Sequence, residues 1–231
     1  ADKLFQYPNH FGTIQSFVDK YLAIPAYVEI FGRRPDKIDK DWYDAKLKQQ
    51  LEQQKNYVGK KTLAFCYQNE KYKNYPYSIC FSDFRISAQN ECDSLGLDLN
   101  IPEKKEIYDK LLSLKHRVLQ FGILSYDDAY YLASCYLDKH PGANSLFSKR
   151  FAYVFIDEMQ DTSETQNEVL ARLFPARSPL LRQRFGDPNQ AIYDFGQSRA
   201  TTDPFPSGDI RKVPNSKRFG PQVAKKAEPE K

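Results

Sequence analysis

The chain has 231 residues, of which 41% are apolar and 14% aromatic, with a formal net charge of +4. That length holds one large domain or two small ones around a real core. The charge is compatible with a nucleic-acid partner without demanding one, and no apolar run reaches the length of a membrane span.

In chain order, Thr13 to Ala26 has the apolar spacing of a helix (Phe17, Tyr21, Leu22, Ile24), and Pro25 marks its expected end. From Arg33 to Lys73 the texture changes, with eleven basic residues against six acids and Trp42, Tyr43, Tyr57, Phe65, Tyr67 and Tyr72 interleaved. A solvated helical face is the preferred reading of that charge, and a DNA-facing surface is the alternative. The centre, Ala45 to Glu52, reads as helix. Thr62–Tyr67 and Tyr77–Phe81 read as strands joined by a hairpin loop over Asn69–Asn74. Ile107, Leu111, Leu114 and Leu119 predict a helix, and Tyr126 to Leu137 a second one with Ser125 at its N-cap. The charged tail, Lys225 to Lys231, reads as disordered.

The cysteines, Cys66, Cys80, Cys92 and Cys135, lack C-x-x-C spacing and have no His cluster nearby. Reduced thiols in a cytoplasmic protein are the simplest reading, and zinc is not expected. His10, His116 and His140 are scattered and suggest surface or capping roles.

The chemistry concentrates later. Tyr153-Val154-Phe155-Ile156 runs into Asp157-Glu158-Met159-Gln160-Asp161. An unbroken apolar run of this kind suits a strand buried on both faces of a parallel sheet, which places ligands at the carboxyl ends of its strands. Asp157 and Glu158 then stand at the lip of a site. One acid is a hard oxygen ligand for a metal, and its neighbour can orient and deprotonate water. A strand end carrying solvated acids is the competing reading. Further on, Leu180-Leu181 starts a plausible strand leading to Arg184-Phe185-Gly186-Asp187-Pro188-Asn189-Gln190-Ala191-Ile192-Tyr193-Asp194-Phe195, where Gly-Asp-Pro-Asn is strong turn chemistry.

These paired patterns, D-E-x-Q-D and G-D-x-x-Q-x-I-Y, resemble motifs II and III of the UvrD/Rep-like superfamily 1 helicases. Phe11-Gly12-Thr13-Ile14-Gln15-Ser16-Phe17 is similar to that family's G-T-x-H-S-F segment, which touches the backbone of single-stranded DNA. Asn215-Ser216-Lys217-Arg218-Phe219-Gly220-Pro221 resembles motif IV, and Gly122-Ile123-Leu124-Ser125-Tyr126-Asp127-Asp128-Ala129 echoes a stretch shortly before motif II. There are departures. Gln15 stands where His is usual, Ala191 where Ser is usual and Phe195 where Trp is common. No G-x-x-x-x-G-K-[ST] phosphate loop occurs in the sequence.

The resemblance implies an α/β fold: a partial RecA-like P-loop NTPase domain, with a parallel sheet flanked by helices and an inserted, mainly helical subdomain. Residues 1–24 and 121–209 would be motor domain 1A, residues 25–120 the inserted 1B-like subdomain, and residues 210–231 the start of domain 2A and a tail. It also implies residue roles. Asp157 would hold Mg²⁺ through water, and Glu158 would be the general base. Gln160 and Asp161 would relay nucleotide state or else cap the helix starting near Thr162. Asp187 and Gln190 would face the nucleotide, and Arg218 would act as an arginine finger. Thr13 and Ser16 would donate to phosphate oxygens, cap the following helix, or do both. Tyr193 and Phe195 would stack on bases or lie in the core.

The implied activity is ATP-dependent 3′→5′ translocation or unwinding of single-stranded or partly duplex DNA. ATP and Mg²⁺ are expected for a longer parent but not for this piece alone, which is read as an internal, inactive fragment. A nuclease or other protein partner, and dimerisation through exposed sheet edges, are further expectations. The alternative is a binding module, derived from a helicase, that holds nucleic acid or protein without turnover.

Overall fold

A computed structural model of the chain describes residues 5–68, 97–175, 181–187 and 211. Thr13 opens the first helix by accepting a hydrogen bond from the Ser16 amide. The helical path runs through α1 (Ile14–Val18), a π-helical stretch (Asp19–Ala23) and α2 (Ile24–Phe31). Pro25 was expected to end this helix and does not. The Ile24 amide reaches back five residues to the Asp19 carbonyl, and this widened turn accommodates a proline that has no N–H to give. The path ends instead at Gly32, whose φ of 69° is the left-handed conformation that closes a helix.

A two-residue strand β1 (Lys37–Ile38) leads to α3 (Lys40–Glu52), capped by the Asp39 carboxylate, and then to α4 (Tyr57–Gln68). The expected strand over residues 62–67 is thus a helix. Thr62 and Cys66, one turn apart, are both fully buried, and the Thr62 hydroxyl donates to the Val58 carbonyl. Packing of this face against the neighbouring helix outweighs the local preference of Thr, Phe and Tyr for strands. The other expected strand, residues 77–81, and the loop 69–74 lie outside the described residues.

The long helix α5 (Pro102–Gln120) carries Ile107, Leu111, Leu114 and Val118 inward, onto Tyr43, Leu47 and Leu51 of α3 and Cys66 of α4. Gly122, at φ 84°, then turns the chain. Its carbonyl accepts the amides of Asp36 and Lys37, setting β2 (Ile123–Leu124) parallel to β1. Next come α6 (Tyr126–Lys139), α7 (Ala143–Arg150), β3 (Tyr153–Ile156), α8 (Glu164–Leu173) and β4 (Leu181–Arg184). Strands β3 and β4 pair parallel, from Tyr153 opposite Leu181 to Ile156 opposite Arg184.

Three apolar clusters organise these elements. The helical one just described joins, through Tyr27, Leu119, Leu124 and Leu132, a third cluster where α1, α6, α8 and β3 meet. In that third cluster Phe17, Val18 and Leu22 pack with Ala133, Ile156, Met159, Val169 and Leu173. The expectation that β3 is buried on both faces is corrected here. Val154 and Ile156 point into this core, but Tyr153 and Phe155 are 65% and 60% exposed. Side chains alternate along a strand, and among the described residues helices cover only one face of the pair.

Candidate functional site

The carboxylates Asp157 and Glu158 leave the end of β3 as a short excursion held at both ends. The Ile156 carbonyl accepts the Phe185 amide at 2.8 Å, and the Phe185 carbonyl accepts the Met159 amide at 2.9 Å. Ile156 and Met159 are 7% and 0% exposed, whereas the two acids between them face solvent. Two buried side chains and Phe185, the residue just past the neighbouring strand, therefore pin the acid pair outward.

The turn needs an unusual backbone. Glu158 has φ 52° and ψ 43°, and it is the one non-glycine residue at positive φ among those described. That conformation costs about 1–2 kcal/mol for an L-residue with a Cβ. Burying Ile156 and Met159 contributes about 1.5–3 kcal/mol each, more than enough to hold it.

Hydrogen bonds orient the group. Asp157 Oδ1 accepts the Glu158 amide at 3.0 Å, and Glu158 Oε2 accepts the Gln160 side-chain amide at 2.6 Å. Gln160 Oε1 in turn accepts the Asp187 backbone amide at 3.1 Å. The Gln160 carboxamide thus bridges Glu158 to the loop after β4. Asp161 is half-buried, and its Oδ1 has no hydrogen-bond partner. Capping of the next helix, one alternative for Gln160 and Asp161, is done by other residues. Ser163 and Gln166 form a reciprocal capping box at the start of α8. That S-x-x-Q signature stands in the sequence and was the available signal for it.

As a metal site the arrangement has a defined character. Among the described residues no group of three His, Cys, Asp or Glu side chains could hold an ion. Mg²⁺, however, keeps several waters and takes one or two protein carboxylates together with substrate phosphates. One solvent-facing Asp157 at a strand's carboxyl end fits that donor set, and a dehydrated protein cage does not.

The other candidate segment is organised differently. Thr13 and Ser16 both face solvent, and the Ser16 hydroxyl donates to the Thr13 carbonyl at 2.8 Å. The capping role weighed for this pair is therefore present. A side chain at Gly12 would place its Cβ 2.7 Å from Ser16 Oγ and 3.2 Å from His10 Nε2, so a larger residue there would have to displace those two side chains. Gln15 donates to Asp19 at 2.7 Å, and burial raises the Asp19 pKa above its ordinary value. Asp19 and the Tyr130 hydroxyl interact, and burial pushes that hydroxyl up to about 12. Tyr130 also accepts from Gln166 at 2.9 Å, so this line of polar groups runs from α1 to the capping box of α8. Sequence reasoning missed Asp19, Tyr130 and Gln166 because the pairing joins residues far apart in the chain.

The structure brings Asp157, Glu158, Gln160, Asp161 and Asp187 together around the ends of β3 and β4. Thr13 and Ser16 sit on the helix whose Phe17 and Val18 share a core with Ile156 and Met159. Gln190, Tyr193, Phe195 and Arg218 lie outside the described residues.

A family model described as UvrD/REP helicase N-terminal domain matches residues 8–202, a span that includes every candidate residue except Arg218. The RecBCD enzyme subunit RecB of Mycolicibacterium smegmatis is 39% identical over 88 residues, which is 38% of this chain and 8% of that subunit.

Proposed function

The chain belongs to the UvrD/REP helicase N-terminal domain family, and from that premise we propose that it is part of an ATP-driven, 3′→5′ DNA translocase or helicase with a RecA-like motor domain. The observation that carries this reading is the outward-pinned Asp157-Glu158 pair at the end of a parallel strand, with Gln160 bridging it to the following loop.

In this mechanism Glu158 takes the proton of the water that attacks the γ-phosphate of ATP, and the left-handed turn aims its carboxylate away from the core. The Gln160 amide, donating to Oε2, fixes the rotamer and leaves Oε1 for that water. Asp157 is the residue that would hold Mg²⁺ through water. When bound, that ion neutralises charge building on the phosphates. Gln190 and Arg218 would contact the γ-phosphate in the proposal. Thr13 and Ser16 hold DNA phosphates, and Tyr193 and Phe195 stack on bases.

The relative named as a RecBCD subunit supports a further element of the proposal, that the protein works alongside partner subunits. In the full-length gene product, Glu158→Gln should lower DNA-stimulated ATP hydrolysis by about 10²–10⁴-fold, the range of a lost general base. Unchanged turnover in that variant would refute the assignment. The second reading, a binding module without turnover, is favoured by the lack of a phosphate-loop motif within these residues. It predicts DNA binding that is indifferent to both ATP and Glu158→Gln.

A further inference from the structure

A polar line crosses the core that separates the Thr13–Ser16 segment from the Asp157–Glu158 turn. Tyr130 of α6 stands at its centre, 6% exposed, in the cluster that holds Phe17 and Val18 of α1 together with Ile156 and Met159. Its hydroxyl accepts the Gln166 side-chain amide at 2.9 Å.

On one side the line leads to the acid pair. Gln166 has both ends of its carboxamide engaged: Nε2 donates to Tyr130, while Oε1 accepts the Ser163 amide at 3.1 Å. The Gln166 backbone amide returns to Ser163 Oγ at 3.3 Å. Ser163 follows Thr162, the residue that closes the short turn Met159–Asp161, and Glu158 opens that same turn. Tyr130 thus reaches the proposed general base through one capped turn.

On the other side the line leads to α1. Burial pushes the Tyr130 hydroxyl up to about 12, with the Gln166 hydrogen bond opposing and the Asp19 and Asp127 charges adding, so the hydroxyl stays protonated. Asp19 Oδ1 accepts from Gln15, which lies between Thr13 and Ser16 in the chain. Asp19 also begins the π-helical stretch, and its carbonyl is the one that the Ile24 amide reaches. Wide turns of this kind concentrate at functional sites.

The physics of such a line differs from that of the apolar contacts around it. A buried amide that loses its acceptor is left with its full desolvation penalty. A displacement of α1 that parts Tyr130 from Gln166 is therefore felt at the Ser163 cap, whereas dispersion contacts change by degrees.

We propose that Tyr130 and Gln166 are positioning residues that carry DNA occupancy at Thr13 and Ser16 to the Glu158 turn, through Asp19 on one side and the Ser163 cap on the other. The inference rests on the translocase reading above and adds to it the residues that join its two sites.

The test uses the full-length gene product and its Tyr130→Phe, Gln166→Leu and Gln166→Glu variants, with the Tyr130→Phe/Gln166→Leu double variant. One readout is the factor by which oligothymidylate stimulates ATP hydrolysis. The other is amide hydrogen exchange in the peptide from Glu158 to Gln166, with and without oligothymidylate. Tyr130→Phe should lower the stimulation factor roughly 2–30-fold, the span of mutational effects on coupling between sites. It should also abolish the exchange response, while basal hydrolysis and the KM for ATP stay at wild-type values. Gln166→Leu should do the same, and the double variant should be no worse than Gln166→Leu alone, because both act on one contact. Gln166→Glu keeps an acceptor for the Ser163 amide and for the Tyr130 proton, and it should retain stimulation. If Tyr130→Phe keeps the wild-type factor, even with a lowered Tm, its role is structural and the line is refuted while the translocase reading stands. Loss of stimulation with the exchange response intact would place the coupling elsewhere and also refute the line. If oligothymidylate does not stimulate the wild type, both fail.

Discussion

Replacing Lys115 by Met should be among the most destabilising single changes in this chain. The Lys115 ammonium lies 2.6 Å from Asp128 Oδ1, with the two side chains 0% and 2% exposed, and it also sits 4.5 Å from the Tyr43 ring centroid. The pair joins α5 to the first turn of α6, where Asp128 Oδ2 accepts the Ser125 amide in a capping box. Met fills much of the same volume, so the loss is electrostatic: a buried carboxylate is left without its counter-charge. Breaking such a pair costs about 3–5 kcal/mol. For a chain of this size that corresponds to a fall in Tm of about 6–20 °C. Asp128→Asn should also destabilise, because it strands the ammonium while keeping an oxygen for the cap. The double variant Lys115→Met/Asp128→Asn should recover about 2–3 kcal/mol of the summed losses. Urea denaturation of the four proteins gives this coupling directly, provided the slope m is unchanged. A loss under about 1 kcal/mol for Lys115→Met, or a coupling near zero, would refute the reasoning and mean that water reaches the pair.

Three other changes test other parts of the structure. Glu158→Gly relieves the left-handed turn and should raise stability by about 0.5–1 kcal/mol in chemical denaturation, even though it removes the proposed base; a loss above about 1 kcal/mol would show that the turn is not strained. Gly122→Ala should destabilise by at least about 1–2 kcal/mol, since it combines a φ of 84° with a Cβ 2.8 Å from Asp36 Oδ2 and 2.9 Å from the Asp36 amide; wild-type Tm would contradict this. Asp19→Asn tests linkage. The folded pKa of Asp19 is raised above 3.8 by burial, so the folded state binds the proton more tightly, and the carboxyl's contribution is largest below pH 3.8 and is lost as pH rises through the folded value. The stability of Asp19→Asn relative to wild type should therefore improve from pH 3 to pH 7, and thermal melts across that range that stay parallel would exclude the effect.

Much of the helical frame was legible from periodicity. Ile107, Leu111 and Leu114 predicted α5, and the Ser125 cap of α6 was readable because capping chemistry is local in sequence. The segment over residues 62–67 misled for the opposite reason. Thr, Phe, Cys and Tyr favour strands in isolation, and only the buried Thr62–Cys66 stripe, facing α5, makes them helical. The same holds for β3. Its unbroken apolar run gives no sign of which face is covered, and that is decided by where the helices fall. Asp157 and Glu158 could be identified as a strand-end acid pair, but not the left-handed turn between Ile156 and Met159. That conformation follows from Phe185, the residue just past β4, bonding to both flanking residues.

The echo motif ending in Tyr126-Asp127-Asp128-Ala129 shows how a sequence pattern can carry structural rather than chemical content. Its Gly122 is needed for the turn into β2, and its Asp128 closes the cap of α6 and takes the charge of Lys115. Both functions fix where α6 begins. That helix in turn supplies Tyr130, Ala133 and Leu137 to the core holding Phe17 and Val18 on one side and Ile156 and Met159 on the other. A close-packed core transmits displacement because it has little free volume to absorb it. The Thr13–Ser16 segment and the Asp157–Glu158 turn are therefore two ends of one packed unit. Their relative position depends on residues that touch neither, Lys115 and Gly122 among them.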